Sequence, residues 1–227
     1  MPAFNEEASL RTVLRDIEKE GFCKIIVVDD GSTDKTYAIA KEMGCVALKH
    51  TLNRGKGAAT QTGLDAAKLL KAKIVVTMDA DGQHVAKDIK SLVKPIQEKK
   101  CDVTLGSRLL SKKGMPLTRK IINLIGNIIT YLFYGIYVTD SQSGFRAYSA
   151  KANALIDTTW DRYEFESEIL QQIKNANLKY IEVPIKTMYT EHSKSKYNNV
   201  TIPNFEAQRL TTGFKMVFRM IIRSILS

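Results

Sequence analysis

The chain has 227 residues, 44% of them hydrophobic, and a formal net charge of +10. Such a length suits one domain with a sizeable core, and the composition is that of an ordinary globular protein. Cys23, Cys45 and Cys101 are scattered, odd in number and without metal-ligand spacing. No apolar run reaches the roughly 20 residues that span a bilayer. A disulfide scaffold, a zinc module and a membrane-spanning helix are therefore disfavoured, and the cysteines read as reduced core residues of a cytosolic protein with no signal peptide.

Residues 8–20 carry Leu10, Val13, Leu14 and Ile17 at helical spacing, which predicts an amphipathic helix. Residues 24–29 form a predicted strand. Ser32 or Thr33 is placed to cap a helix running to about Met43. A short strand over 45–49, a helix over 57–70 and a strand over 73–78 follow. Residues 88–99 read as a helix and 102–105 as a strand. Alternation of this kind predicts an α/β fold with a mostly parallel sheet flanked by helices. With no repeat or linker, residues 1–227 read as a single domain: a core over 1–200 and a basic amphipathic C-terminal helix over 201–227.

Two predicted strands end in carboxylates. Ile74-Val75-Val76-Thr77 leads into Met78-Asp79-Ala80-Asp81-Gly82-Gln83-His84, and Val27-Val28 leads into Asp29-Asp30-Gly31-Ser32-Thr33-Asp34. Carboxylates spaced i, i+2 can converge on one ligand once the chain leaves a strand. Their oxygens suit a hard cation such as Mg²⁺ or Mn²⁺, and a hard cation suits a diphosphate. Asn53-Arg54-Gly55-Lys56-Gly57 is a glycine-flanked basic turn before a helix, fit to meet phosphate. Pro2-Ala3-Phe4-Asn5-Glu6-Glu7, Gly106-Ser107-Arg108 and Asp140-Ser141-Gln142-Ser143-Gly144-Phe145-Arg146 complete the ordered set.

In this order the motifs resemble family 2 glycosyltransferases of GT-A, Rossmann-like fold, above all the polyprenyl-phosphate hexosyltransferases. The resemblance runs from Pro2 to about Lys196. It implies inverting transfer of a hexose from a UDP- or GDP-linked donor to a polyprenyl phosphate. It also implies that Pro2, Ala3, Glu6 and Asp30 contact base and ribose, and that Asp79, Ala80 and Asp81 meet the nucleotide-sugar. Asp81 is the first expected metal ligand and Gln83 the second, with Asp79 nearer the ribose or the metal's water shell. Lys56 and Lys196 are expected at the diphosphate. Mannose synthases carry Arg and Gly where this chain has Thr190 and Ser193. The family usually opens with an apolar strand before Pro2. This sequence offers no residues for it, so the expectation is that the chain start lies further upstream or the sequence is truncated, leaving the Val27 strand partly unpaired.

Arg108, with Arg119 and Asn123 at i and i+4, can grip an acceptor phosphate bidentately. Asp140 is expected to orient the attack or act as base, Arg146 to brace its loop through an ion pair, and His84 to be a solvated turn residue. Asp29 and Asp34 read as turn and cap residues.

The charge excess lies in two segments. Residues 103–139 carry five basic residues and no acidic ones, and residues 186–227 carry seven against two. Both contain apolar stretches, over 119–135 and 214–226, whose basic residues favour an anionic membrane surface. The expected location is the cytoplasmic face of the membrane, peripherally bound, with no nucleic-acid partner. A glycan hydroxyl as acceptor, and a non-catalytic sugar-nucleotide or membrane-surface binder, are the alternatives.

Overall fold

The computed structural model describes residues 1–110, 124, 127, 128, 131, 132, 135–158 and 165–188. Its first half alternates strand and helix: β1 (Pro2–Ala3), α1 (Glu7–Lys19), β2 (Ile26–Asp29), α2 (Thr36–Glu42), β3 (Val46–Lys49), α3 (Lys56–Leu69), β4 (Ile74–Thr77), α4 (Asp88–Gln97) and β5 (Val103–Ser107). The second half adds β6 (Arg146–Ser149), α5 (Ala150–Leu155), α6 (Phe165–Asn175) and β7 (Tyr180–Pro184). Between the halves, Leu124, Asn127, Ile128, Tyr131 and Leu132 are helical.

One sheet runs β1-β2-β3, all parallel. The other runs β4-β6-β5-β7, in which β6 is antiparallel to both neighbours and β5 is parallel to β7. Apolar side chains join the two sheets. On one face Leu10, Leu14, Ile39, Ile89 and Leu92 pack with Val27, Met78, Ala147 and Ile185. On the other, Leu64, Ile156, Ile169, Leu170 and Ile173 pack with Val103, Leu105 and Tyr148. Helices on both sides of the sheet explain why β2 and β4 read as continuous apolar runs.

The structure corrects the expectation of an unpaired Val27 strand. Pro2 and Ala3 lie in register with Val28 and Asp29, and the Val28 N–H donates to the Met1 carbonyl at 2.9 Å. The first strand is short, but it is made from the motif itself. Only Cys101 of the three cysteines is buried, and Cys23 is exposed.

The expected cap at Ser32 or Thr33 is also corrected. Asp34 accepts the Thr36 N–H at 2.9 Å through Oδ1 and the Glu7 N–H at 3.0 Å through Oδ2. Glu7 returns the favour, accepting the Lys35 N–H at 3.1 Å. Each helix entry is thus satisfied by a carboxylate from the other's loop. Asn5 and Ser32 extend the seam: the Asn5 N–H donates to Ser32 Oγ, and the Thr33 N–H donates to Asn5 Oδ1. This seam fixes the first two loops at the C-terminal edge of the sheet, where ligands of open α/β sheets bind.

Candidate active site

The tips of β1, β2, β4 and β5 share that edge. Because β6 is antiparallel, its N-terminal end arrives there too and brings residues 139–145 with it. Gly106 makes this approach possible. A Cβ there would lie 2.6 Å from the Phe145 carbonyl, closer than any side chain tolerates. Phe145 stacks on His84, with ring centroids 4.7 Å apart.

At the tip of β2, Asp30 is buried and fully engaged. It accepts the Arg54 N–H at 3.0 Å and the Gly55 N–H at 2.7 Å, and it meets His50 Nδ1 at 2.7 Å. Asp30 therefore shapes the 53–57 turn. Gly31 lets that turn pack close: its φ is +75°, and a Cβ would lie 2.8 Å from both Asn53 N and Leu52 C. Asp29 is a turn residue, as expected, accepting the Ser32 N–H at 2.9 Å. Glu6 is buried and accepts from the Ser9 hydroxyl at 2.7 Å. Pro2 and Ala3 lie on β1 beside this loop.

The turn delivers Lys56 inward. Its Nζ lies 2.9 Å from Asp79 Oδ1 and 3.2 Å from Glu166 Oε1. Burial alone would lower this ammonium, but the charges of Asp79 and Glu166 outweigh burial and hold it well above the usual lysine range. Burial would likewise raise Asp79, yet Lys56 keeps it below the usual carboxylate range. Gly144 packs over the pair, where a Cβ would come within 3.0 Å of Lys56 Nζ.

Asp81 has the opposite environment. Burial, then the charge of Asp79, pushes its carboxyl up. Gln83 holds it with two donors, the backbone N–H to Oδ1 at 3.0 Å and Nε2 to Oδ2 at 2.8 Å. Ala80, between the two aspartates, is buried. His84 is not a solvated turn residue. Besides stacking on Phe145, its Nδ1 accepts the Asp79 N–H at 3.3 Å, which places the ring proton on Nε2. Burial pushes the imidazole down to about 4 against the pull of Asp79, with Lys56 and Arg108 working in the same direction as burial. The ring is neutral at pH 7.

Arg108 and Asp140, expected to serve separately, are paired. Asp140 Oδ2 accepts the Arg108 backbone N–H at 3.0 Å and Nε–H at 2.7 Å, and Oδ1 accepts Nη2 at 2.7 Å. The Asp140 side chain is 0% exposed. Both its oxygens are committed, so the geometry does not fit a general base. Arg146 braces the loop through carbonyls where an ion pair was expected: it donates to Ser143, Glu166 and Ser141 at 2.8, 3.1 and 3.0 Å. Arg119, Asn123, Lys196 and the segment 214–226 lie outside the described residues.

Residues 1–156 match the glycosyl transferase family 2 profile. The chain belongs to that family. It is 47% identical to the uncharacterized protein MJ1222 of Methanocaldococcus jannaschii, over 99% of this chain and 90% of that one. It is 40% identical to a UDP-N-acetylglucosamine–dolichyl-phosphate N-acetylglucosaminyltransferase of Methanococcus voltae, over 98% of this chain and 93% of that one. Among solved structures it resembles glucosyl-3-phosphoglycerate synthase of Mycobacterium tuberculosis, crystallised with Mn²⁺, UDP and glucosyl-3-phosphoglycerate. The TM-score is 0.66 at 20% identity, over 87% of this chain and 72% of that one. That likeness shows the expected GT-A fold.

Two residues of this family 2 site had no signal in the sequence reading. Glu166 lies 110 positions from Lys56, on a helix entry that reads as an ordinary acidic first turn. Asn127 lies within the apolar stretch 119–135, yet it is buried and bonded to Thr139 and Ser141. Each is a buried polar residue, a position that needs a partner.

Proposed function

We propose that this glycosyltransferase moves a sugar from a nucleoside diphosphate to a polyprenyl phosphate at a membrane surface, with inversion. One observation carries the reading. Arg108 is held by the buried carboxylate of Asp140, and His84, beside the carboxylates at the tip of β4, feels the charges of both Arg108 and Asp79. A guanidinium and a pair of carboxylates thus belong to one end of the molecule. That suits two phosphorylated substrates meeting head on.

The tip of β4 fits a hard divalent cation. Asp81 is half-buried beside another carboxylate, a placement whose cost a cation would offset, and Gln83 adds an amide. Among the described residues no three His, Cys, Asp or Glu side chains cluster as ligands, so the rest of the shell falls to substrate and water. Mg²⁺ or Mn²⁺ held by Asp81 and Gln83 would neutralise charge on the departing diphosphate. Asp79, its charge already met by Lys56, serves the outer shell or the ribose. Pro2, Ala3, Glu6 and Ala80 line the nucleotide side, and Lys196 closes on the diphosphate.

Arg108, joined by Arg119 and Asn123, grips the acceptor phosphate. That phosphate is ionised at neutral pH and needs no base to attack the anomeric carbon. A glycan hydroxyl would need one, and Asp140 has both oxygens tied to Arg108. This disfavours the hydroxyl reading. The pairing of Pro2 and Ala3 with Val28 and Asp29 supports an assembled nucleotide edge, which favours catalysis over the non-catalytic reading.

Names among other relatives include a polyprenol monophosphomannose synthase and a dolichyl-phosphate beta-glucosyltransferase. The donor panel follows from these: UDP-N-acetylglucosamine, UDP-glucose and GDP-mannose, each with Mg²⁺ or Mn²⁺ and a polyprenyl phosphate. Mass spectrometry of the lipid should show one sugar added from one preferred donor. Sugar appearing on a soluble glycan, with the lipid untouched, would move the assignment to a hydroxyl acceptor.

Among the described residues no helix is long and apolar enough to cross a membrane. We place the protein peripherally, at the cytoplasmic face.

A further inference from the structure

Asn127 stands apart from its helical neighbours. Leu124, Ile128 and Leu132 are exposed, while Asn127 is 5% exposed. Its Nδ2 donates to the Thr139 carbonyl, and its Oδ1 accepts the Ser141 N–H at 3.1 Å. Those two groups belong to the planar peptide units on either side of Asp140. One amide therefore fixes both planes that set the Asp140 backbone. Thr139 is held from another direction by Glu182, which accepts its N–H and its hydroxyl, both at 2.8 Å. Asp140, so fixed, takes three hydrogen bonds from Arg108.

We propose that Asn127 is a positioning residue for the acceptor phosphate, acting through Asp140 to aim the Arg108 guanidinium. The proposal rests on the reading of Arg108 as a phosphate ligand. Its chemical basis is narrow. A primary amide supplies one donor and one acceptor at a fixed spacing, and the 139–141 loop asks for both. An aspartate keeps the bond from Ser141 and sets a carboxylate against the Thr139 carbonyl. A serine is too short to span both groups. In either case Asp140 gains freedom. Arg108 then keeps its charge and loses its aim, and a bidentate grip depends on aim.

The test uses Asn127→Asp, which is isosteric, and Asn127→Ser, which introduces no charge. With the donor identified, the acceptor KM should rise between about 10- and 100-fold, the range expected for a misplaced positioning contact. The donor KM should move by less than about twofold, since no donor contact changes. A second readout needs no turnover. The Arg108 Nε–H proton, assigned by its loss in Arg108→Lys, should exchange slowly with water in the unsubstituted protein and at least several-fold faster in the variants. An absent lipid product would thus sink the polyprenyl-phosphate reading and leave this measurement standing. Unchanged exchange at Arg108 in both variants overturns the positioning role, and so does a parallel rise in both KM values. Should Asn127→Asp melt below the assay temperature, Asn127→Ser carries both measurements.

Discussion

Asp81 sits where burial and the neighbouring Asp79 both work against its negative charge. A residue so placed costs stability unless a cation joins it. Asp81→Ala should therefore abolish turnover and, in the absence of metal, leave the melting temperature equal or higher. Mg²⁺ should stabilise the unsubstituted protein in a thermal scan and not the variant. A variant that retains activity, or an equal metal response in both proteins, would remove the cation from this position. The motif Asp79-Ala80-Asp81 was legible in the sequence because an apolar run ended in two carboxylates. The division of labour between them was not. It is decided by Lys56, 23 positions away, which neutralises Asp79 and leaves Asp81 unrelieved. The same holds for Arg108 and Asp140: each was recognisable, and their pairing depends on a strand order that local pattern does not encode.

The entries of α1 and α2 are sewn together by Asp34 and Glu7, and the seam is sensitive to acid. Burial alone would raise Asp34, but the bonds from Thr36 and Glu7 outweigh it and hold the carboxyl below its usual value. A group depressed in the folded state contributes stability above its unfolded pKa, and that contribution is lost as pH falls through the folded value. Asp34→Asn removes the ionisable group and keeps one acceptor. It should lower stability at pH 7 and flatten the loss of stability below about pH 4, the range of an unperturbed aspartate. Urea titrations of both proteins across that range measure the difference; two parallel curves would mean the carboxylate charge is not what holds the seam. The helices and first strands were readable from periodicity to within a few residues. The later elements were not. β6 hides inside a loop motif, since Phe145-Arg146-Ala147-Tyr148 has no clean alternation. The first turn of α6 buries Glu166, Ser167 and Glu168, which read as an exposed face.

At the scale of the molecule, charge and exposed apolar side chains fall in the same stretch of sequence. Leu124, Ile128, Tyr131, Leu132 and Tyr137 are open to solvent within the segment 103–139 that carries five basic residues and no acidic ones. Exposed apolar side chains in a basic stretch of this kind are what a membrane-docking surface requires. The protein should sediment with anionic vesicles, and salt should weaken the binding without ending it. Headgroup attraction contributes about 1 kcal/mol per basic residue and is screened, whereas apolar insertion is not. Ile128→Glu combined with Leu132→Glu should reduce the bound fraction severalfold at high salt. Equal sedimentation of both proteins would show that these side chains do not enter the bilayer.

The position of β6 also sets an order of assembly. Among the described residues, β4 pairs only with β6, and β5 meets β4 only through it. The strand that leads into Asp79 and Asp81 therefore has no ladder partner among the described residues until a segment about 70 residues further along has been made. Closing so long a loop is slow, because its entropy is lost before any contact repays it. The β1-β2-β3 sheet, whose neighbours follow one another directly, can form while the other sheet waits. A nascent chain ending before Arg146 would thus hold half a sheet and exposed apolar strands, and the residues that complete the catalytic edge are also those that close the fold.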